Sequence, residues 1–478
     1  MALKTVDEYL QSLRKMKPRV YVLGQQIENP VDHPMIRPSI NAVAETYHLA
    51  EEPECRELIV TTSPYTGKEI NRFTHISRSP DDLVKRVKIN RLLGQRTGTC
   101  FMRCTGLDGF NAIAATTYDL DQKFGTEYSK RAEKYIAYVQ ENDLTANIGM
   151  TDVKGDRSLR PIEQADPDLY LHLVEERKDG IIVRGAKAHQ TGSLNAHEIV
   201  VAPCTTLRKG EEKYAVAFAM PSDSPGIIHI YGRGTFDTRD LEGIDMGNVR
   251  CGKYATLVIF NDVLVPWERV FMCGETEFSG TLVSRFAAYH RQSHGGCKAG
   301  VADVLTGAAQ TIAEYNGVAN VSHVREKITD MIHMGETMYA CCLAASYEGV
   351  KTASGVYAVN NLLANTSKLH EGRVLHEMCR LLQDIAGGLV ATMPSEKDFA
   401  NPEIGGFIKK YLKGVASVPV EDRRRMFRLI EKLTLESRDL ISDVHGGGPP
   451  AAHRLVILRE TDLKARSQMA KRLAGIES

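Results

Sequence analysis

Two short stretches carry residue types that hold metals. Cys100-Phe101-Met102-Arg103-Cys104 places two thiols four residues apart. On a helix, positions i and i+4 share a face, so both sulfurs can reach one site. Taken alone, this spacing reads first as two core cysteines on one helical stripe, because short spacings recur by chance. The second stretch, Tyr289-His290-Arg291-Gln292-Ser293-His294-Gly295-Gly296-Cys297-Lys298, joins two histidines, a glycine pair and a cysteine. Gly295 and Gly296 are expected to break the helical pattern and let backbone approach a bulky inorganic group. A lone His290 would more often be a satisfied core histidine than a ligand. Together, three thiolates and one imidazole suit structural zinc or an iron–sulfur cluster, and spacing does not choose between them.

The elements that must bring these stretches together fall into three regions, expected at 1–145, 146–278 and 279–478. The first reads as largely helical: Ser79-Pro80-Asp81-Asp82-Leu83 opens a capped helix, and Ser129 to Asn142 forms another. The second is rich in β runs, namely Ile181-Ile182-Val183, His197 to Val201, Tyr214 to Phe218 and Ile227 to Tyr231. Asp179-Gly180, Ser222 to Gly226 and Asn261-Asp262 read as turns between them, giving an antiparallel β domain or barrel. The third is helical again, with bundle-length helices from Val301 through Tyr315 and Ile328 through Tyr347, and another from Asp422 through Ser442. Gly446-Gly447-Gly448-Pro449-Pro450 breaks that pattern. The order helical, β, helical is an α+β layout like that of acyl-CoA dehydrogenases.

Composition narrows the partners. Lys+Arg and Asp+Glu both total 60, which argues against nucleic acid and leaves room for a local basic pocket. The start of the chain has no apolar signal core and no run approaches ~20 apolar residues. No membrane partner is expected, and the protein is read as cytoplasmic. Ten cysteines in 478 residues are too few for a disulfide scaffold. Cys55, Cys204, Cys251, Cys273, Cys341, Cys342 and Cys379 are expected to be buried thiols.

Longer motifs carry a resemblance. Asp32 to Asn41, Leu92-Leu93-Gly94-Gln95, Lys154-Gly155-Asp156-Arg157, Gly185 to Ser193, Tyr289 to Ser293, Asp384 to Gly388 and Met393-Pro394-Ser395 span nearly the whole sequence. On them the chain resembles the 4-hydroxybutyryl-CoA dehydratase family, related to the 4-hydroxyphenylacetate hydroxylases. The resemblance implies an acyl-CoA dehydrogenase-like fold, FAD and a [4Fe-4S] cluster, with Cys100, Cys104, His290 and Cys297 as cluster ligands. It places Met150, Thr151, Asp152, Gly155, Asp156, Arg157, Ser158 and Thr191 along the flavin. Gln383, Gly387 and Gly388 fall where a neighbouring subunit covers the adenine-diphosphate part, implying a homotetramer. The implied substrate is an acyl-CoA or related small acid, turned from 4-hydroxyacyl-CoA into 2-enoyl-CoA with a possible double-bond shift.

The sequence departs from the family at four polar positions. His294 stands where the family has tyrosine, Met102 where it has glutamine, and Ala255 and Ser442 where it has glutamates; Lys298 and Thr191 are kept. Removing an unactivated hydrogen and expelling a hydroxyl needs a one-electron partner, a base and an acid. His294, His445 and Lys298 are the remaining candidates for proton work, with Asp443 near His445. The family's mechanism lets His290 exchange between ligation and proton transfer. An altered lyase or isomerase is the expectation. Its alternatives are a flavin-dependent aromatic monooxygenase of the hydroxyphenylacetate type, or a cofactor-bearing protein without dehydratase activity.

Overall fold

The computed structural model describes residues 3–234 and 250–476. Its middle is two facing sheets. The larger has six strands in the order β2-β1-β10-β11-β7-β6: Gln25–Ile27, Arg19–Val22, Ile227–Gly232, Ala255–Pro266, Gly180–Thr191 and His172–Arg177. The smaller is β12-β9-β8-β5: Val270–Cys273, Val216–Pro221, Glu198–Val201 and Ala146–Gly149, and β3 (Val60–Thr62) pairs with β4 (Glu69–Asn71) in a separate hairpin. Alternating apolar residues fill the space between the sheets, and Phe218 of β9 meets Phe260 of β11 edge-on at 5.9 Å.

Three sequence expectations change here. The sheets are mixed, since β1 pairs in parallel with β10 and β5 with β8. They remain two open sheets, and β1 and β2 come from the region expected to be helical. Asn261-Asp262 is not a turn. It is a bulge inside the long strand β11, where the register slips between Phe260 and Val263 and Asp262 takes φ +53°.

Helices flank the sheets. Those used below are α1 (Arg37–Glu51), α2 (Pro80–Thr97), α3 (Cys104–Phe124), α4 (Thr276–Tyr315), α5 (Ser322–Tyr347), α6 (Asn361–Ala386), α7 (Val420–Leu435) and α8 (Ser437–His445). Ser79 caps α2 by accepting from the Asp82 amide, with Pro80 at the first helical position. The 40-residue α4, about 60 Å long at 1.5 Å per residue, is the axis of the C-terminal half. It packs on α5 and α6, and also on α2 from the N-terminal region. The helix expected from Asp422 to Ser442 is two, because Glu436 leaves helical geometry between α7 and α8.

Small residues set how closely α2 and α4 approach. A Cβ on Gly94 would fall on the carbonyl oxygen of Cys297, and one on Gly300 would fall on that of Arg91. The two backbones therefore touch beside Cys297. Four residues after Gly94, Gly98 ends α2 in the left-handed region at φ +62° and turns the chain toward Cys100. The apolar faces of α4, α5, α6 and α7 close a second core.

Candidate metal and flavin site

The first cysteine stretch is not one helical stripe. Cys100 lies in the link after α2, Met102 has φ +62°, and only Cys104 is helical, as the first residue of α3. The link is pinned by Arg103, whose Nη2 donates to Asp143 at 2.6 Å and Nη1 to Thr46 Oγ1 at 3.1 Å. The same guanidinium lies over the Tyr47 ring of α1 at 4.1 Å. Turning back in this way brings the Cys100 and Cys104 thiols into a hydrogen bond with each other.

The second stretch is uninterrupted helix. Gly295 and Gly296 sit inside α4, and neither admits an inorganic group. A Cβ on Gly295 would meet Cys342 and Ser367, and one on Gly296 would lie 3.1 Å from Asn90 Cβ. Their job is close helix packing, because the Val87 backbone of α2 and side chains of α5 and α6 crowd this turn of α4. His290 and His294, one turn apart, meet edge-on with ring centres 4.9 Å apart. Cys297 lies one turn further, its thiol 3.3 Å from the His294 carbonyl.

The two stretches converge. A donor atom each from Cys104, Asp108 and His290 lies within 4.8 Å of the others. All three cysteines are buried. The hydrogen bond from Cys104 brings the Cys100 thiol down to about 6, against the opposing effect of burial. The same bond and burial hold Cys104 well above the usual thiol range. Burial, then the Cys100 charge, does this to Cys297. Charge on Cys100 opposes charge on both Cys104 and Cys297. A thiol-rich donor set of this kind fits a soft metal centre and would be discharged by one.

Around it lies a buried ionic shell. His290 Nδ1 is 2.8 Å from Asp108, whose other oxygen is contacted by Arg86 and, at 3.1 Å, by Ser293 Oγ. The His290 ring stacks on Phe286 with centres 5.2 Å apart. His294 Nδ1 is 3.0 Å from Glu371 Oε1, which also accepts from Lys368 at 2.6 Å. Burial, then Lys368, His290 and Lys298, hold His294 well below the usual imidazole range. Lys298 pairs with Asp443 at 2.5 Å. Although burial opposes its charge, Asp443 and Asp439 keep Lys298 strongly basic.

The four divergent positions lie around Thr191 and Gly446. A Cβ on Gly192, just after Thr191, would lie 2.9 Å from Met102 Cβ. Ala255 is the register partner of Thr191 across β7 and β11. The His294 ring packs against Gly446, and Ser442 accepts from Lys253. His445, next to Gly446, is exposed and on the side of His189, Lys154 and Arg157.

That last group borders the stretch expected along the flavin. Thr151 and Met150 are half-buried, and Gly155, Asp156, Arg157 and Ser158 form an exposed turn in which Asp156 accepts from Ser158. Asp152 differs from the rest of the stretch. It is buried, 2.8 Å from Lys187 Nζ, and accepts from the Leu171 amide, so it holds the loop to β7. Beside Thr191, Asn147 Oδ1 and Gln190 Oε1 are buried and make no hydrogen bond among the described residues. Such orphaned oxygens, with Lys154, Arg157 and His189 nearby, fit a polar ring system with an anionic tail. Gln383 donates to Thr434 at 3.0 Å, while Gly387 and Gly388 end α6 facing open space.

Of the remaining cysteines, Cys55, Cys251, Cys342 and Cys379 are buried; Cys204, Cys273 and Cys341 are half-buried, contrary to expectation. Sequence reading missed Asp108, Arg86, Lys368 and Glu371. The available signal was charge on core-facing helix positions, as at Asp108 between Leu107 and Phe110.

Residues 5–272 match the family model described as 4-hydroxyphenylacetate 3-hydroxylase N terminal, and residues 279–475 the corresponding C-terminal one. A 4-hydroxybutyryl-CoA dehydratase/vinylacetyl-CoA-Delta-isomerase from Clostridium aminobutyricum is 48% identical, covering 99% of this chain and all of that protein. The chain belongs to the 4-hydroxybutyryl-CoA dehydratase family. An oxygen-tolerant archaeal 4-hydroxybutyryl-CoA dehydratase from N. maritimus superposes with a TM-score of 0.97 at 47% identity, over all of this chain and 96% of that one. The oxygenase component of 4-hydroxyphenylacetate 3-monooxygenase, solved with FAD, gives 0.88 at 26% identity, covering 98% of each chain. Glutaryl-CoA dehydrogenase, at 0.52 and 13% identity over 96% of each chain, shares the fold alone. No helix among the described residues is long and apolar enough to cross a membrane.

Proposed function

We propose that this chain is a flavin and [4Fe-4S] lyase of the 4-hydroxybutyryl-CoA dehydratase type, acting on an acyl-CoA or related acid with altered substrate or proton chemistry. The observation that carries the reading is the convergence of Cys100, Cys104 and Cys297 with His290 in one buried space. Those four residues would hold the cluster, and the loop from Met150 to Ser158 with Thr191 would hold FAD. Gln383, Gly387 and Gly388 would serve a neighbouring subunit's FAD in a homotetramer. Bound there, flavin and cluster supply one-electron transfer and a Lewis-acidic iron.

The chain's own part is proton handling and exclusion of water. Glu371 receives the Nδ1–H of His294, which leaves the Nε2 lone pair free beside Gly446. Nε2 is therefore an unprotonated acceptor whose depressed basicity suits relaying a proton rather than holding one. Lys298, kept charged by Asp443, supplies a fixed positive charge behind Cys297. His445 lies toward solvent, where it can pass a proton onward. Met102 and Ala255 line the Thr191 side without polar groups, so a γ-hydroxyl finds fewer partners there than glutamine and glutamate would give.

Anaerobic incubation of cofactor-replete protein with 4-hydroxybutyryl-CoA, followed for crotonyl-CoA, tests the substrate. A panel of other acyl-CoA thioesters tests the class. Turnover on any of them supports the lyase reading. Oxygen consumption with a phenol and a reduced-flavin supply, with no labile sulfide in the protein, would instead establish a monooxygenase.

A further inference from the structure

We infer that Asp108 is a positioning residue that fixes which nitrogen of His290 binds the cluster, and is not itself a ligand. The inference rests on the cofactor reading above and adds a residue to it. A donor atom of Asp108 lies within 4.8 Å of one on Cys104 and one on His290, so proximity alone would make it a candidate ligand. Its hydrogen bonds argue otherwise. One oxygen, Oδ2, is 2.8 Å from His290 Nδ1. The other, Oδ1, takes Arg86 Nη2 and, at 3.1 Å, Ser293 Oγ. Both oxygens are committed, and the side chain is fully buried.

Arg86 is fixed in turn. Its Nε donates to Ser293 Oγ at 3.1 Å, Nη2 donates to the Tyr289 carbonyl at 2.9 Å, and the guanidinium lies over the Tyr289 ring. Arg86, on α2, thus ties Asp108, on α3, to the turn of α4 that carries His290. A carboxylate neutralised by arginine is a poor metal ligand but a good acceptor for an imidazole N–H. With Nδ1–H donated to Asp108, one face on Phe286 and the Cδ2 edge near Gly447, only Nε2 has no hydrogen-bond partner among the described residues. The tautomer and the direction of the ring are both set before any iron arrives.

The test uses the anaerobically purified holoprotein. Histidine labelled with 15N at Nδ1 or at Nε2 is incorporated, and nitrogen couplings to the reduced cluster are read by pulsed electron paramagnetic resonance. Strong coupling from Nε2 is expected; strong coupling from Nδ1 would overturn the inference. In Asp108→Asn, the histidine-bound iron should be lost to a chelator about 10–100-fold more readily, with a changed cluster spectrum. Wild-type spectrum and chelator resistance in that variant would also overturn it, and if the variant does not fold, the labelling experiment decides alone. A wild-type protein without labile sulfide removes the cofactor reading and this inference together, whereas a normal cluster bound through Nδ1 removes only the inference.

Discussion

Replacing Gly300 with alanine sets two physical effects against each other inside one helix. Helix propensity favours alanine by about 1 kcal/mol at an interior position. At Gly307, further along α4, that is the whole effect, because the position is exposed and an added Cβ meets nothing within 4 Å. At Gly300 the Cβ falls on the Arg91 carbonyl oxygen and lies 2.8 Å from the Gln95 amide nitrogen and 2.9 Å from Gly94 Cα. All three are backbone atoms and cannot swing aside, so overpacking at the upper end of its usual 1–3 kcal/mol applies. The net expectation is destabilisation by about 2 kcal/mol for Gly300→Ala and stabilisation by about 1 kcal/mol for Gly307→Ala. Denaturant midpoints followed by far-ultraviolet circular dichroism give both signs directly. Iron content should fall in Gly300→Ala alone, since separating α2 from α4 pulls the Cys100 link away from Cys297. If Gly300→Ala gains stability like Gly307→Ala, the two helices do not touch there and the geometry of the site is wrong.

Three further outcomes are expected. Asp143→Asn leaves Arg103 buried without its carboxylate, costing about 3–5 kcal/mol and loosening the link between Cys100 and Cys104; a denaturation midpoint within error of wild type would contradict this. Burial pushes His197 down to about 3, below the ~6.5 of an unfolded histidine, so the unfolded chain gains a proton first as pH falls. Stability should therefore be flat above about pH 6.5 and decline from there toward 3, by several kcal/mol in order of magnitude, and His197→Gln should flatten that decline in denaturation midpoints taken across the range. His294→Tyr combined with Ala255→Glu should raise crotonyl-CoA formation from 4-hydroxybutyryl-CoA; unchanged turnover with intact cofactors would show that the divergence extends beyond these positions.

Much of the chemistry was legible in the residues, while the positioning was not. Residue type and spacing drew attention to Cys100, Cys104, His290, His294 and Cys297, because residue type is a local property, and only the family resemblance implied which four are ligands. The helical order and the Ser79 cap follow from equally local rules. Gly295 and Gly296 were misread because a glycine pair in a helical pattern signals a break only when nothing crowds it. Here Cys342, Ser367 and Asn90 on three other helices demand the missing side chains. Asp108 and Glu371 escaped notice because a buried acid is recognised by its partners, and those come from sequence positions far away. The joining of β1 to β10 is likewise a pairing across some two hundred residues that strand propensity cannot register.

The central claim is that three cysteines and one histidine of this chain hold an iron–sulfur cluster beside a flavin. Iron, acid-labile sulfide and flavin analysis of anaerobically purified protein, alongside Cys104→Ser and Cys297→Ser, tests it most directly. The account predicts iron and sulfide in a four-to-four ratio with FAD in the wild type, and sharply lower iron and sulfide in both variants. Zinc in place of iron, or iron without labile sulfide, would contradict it.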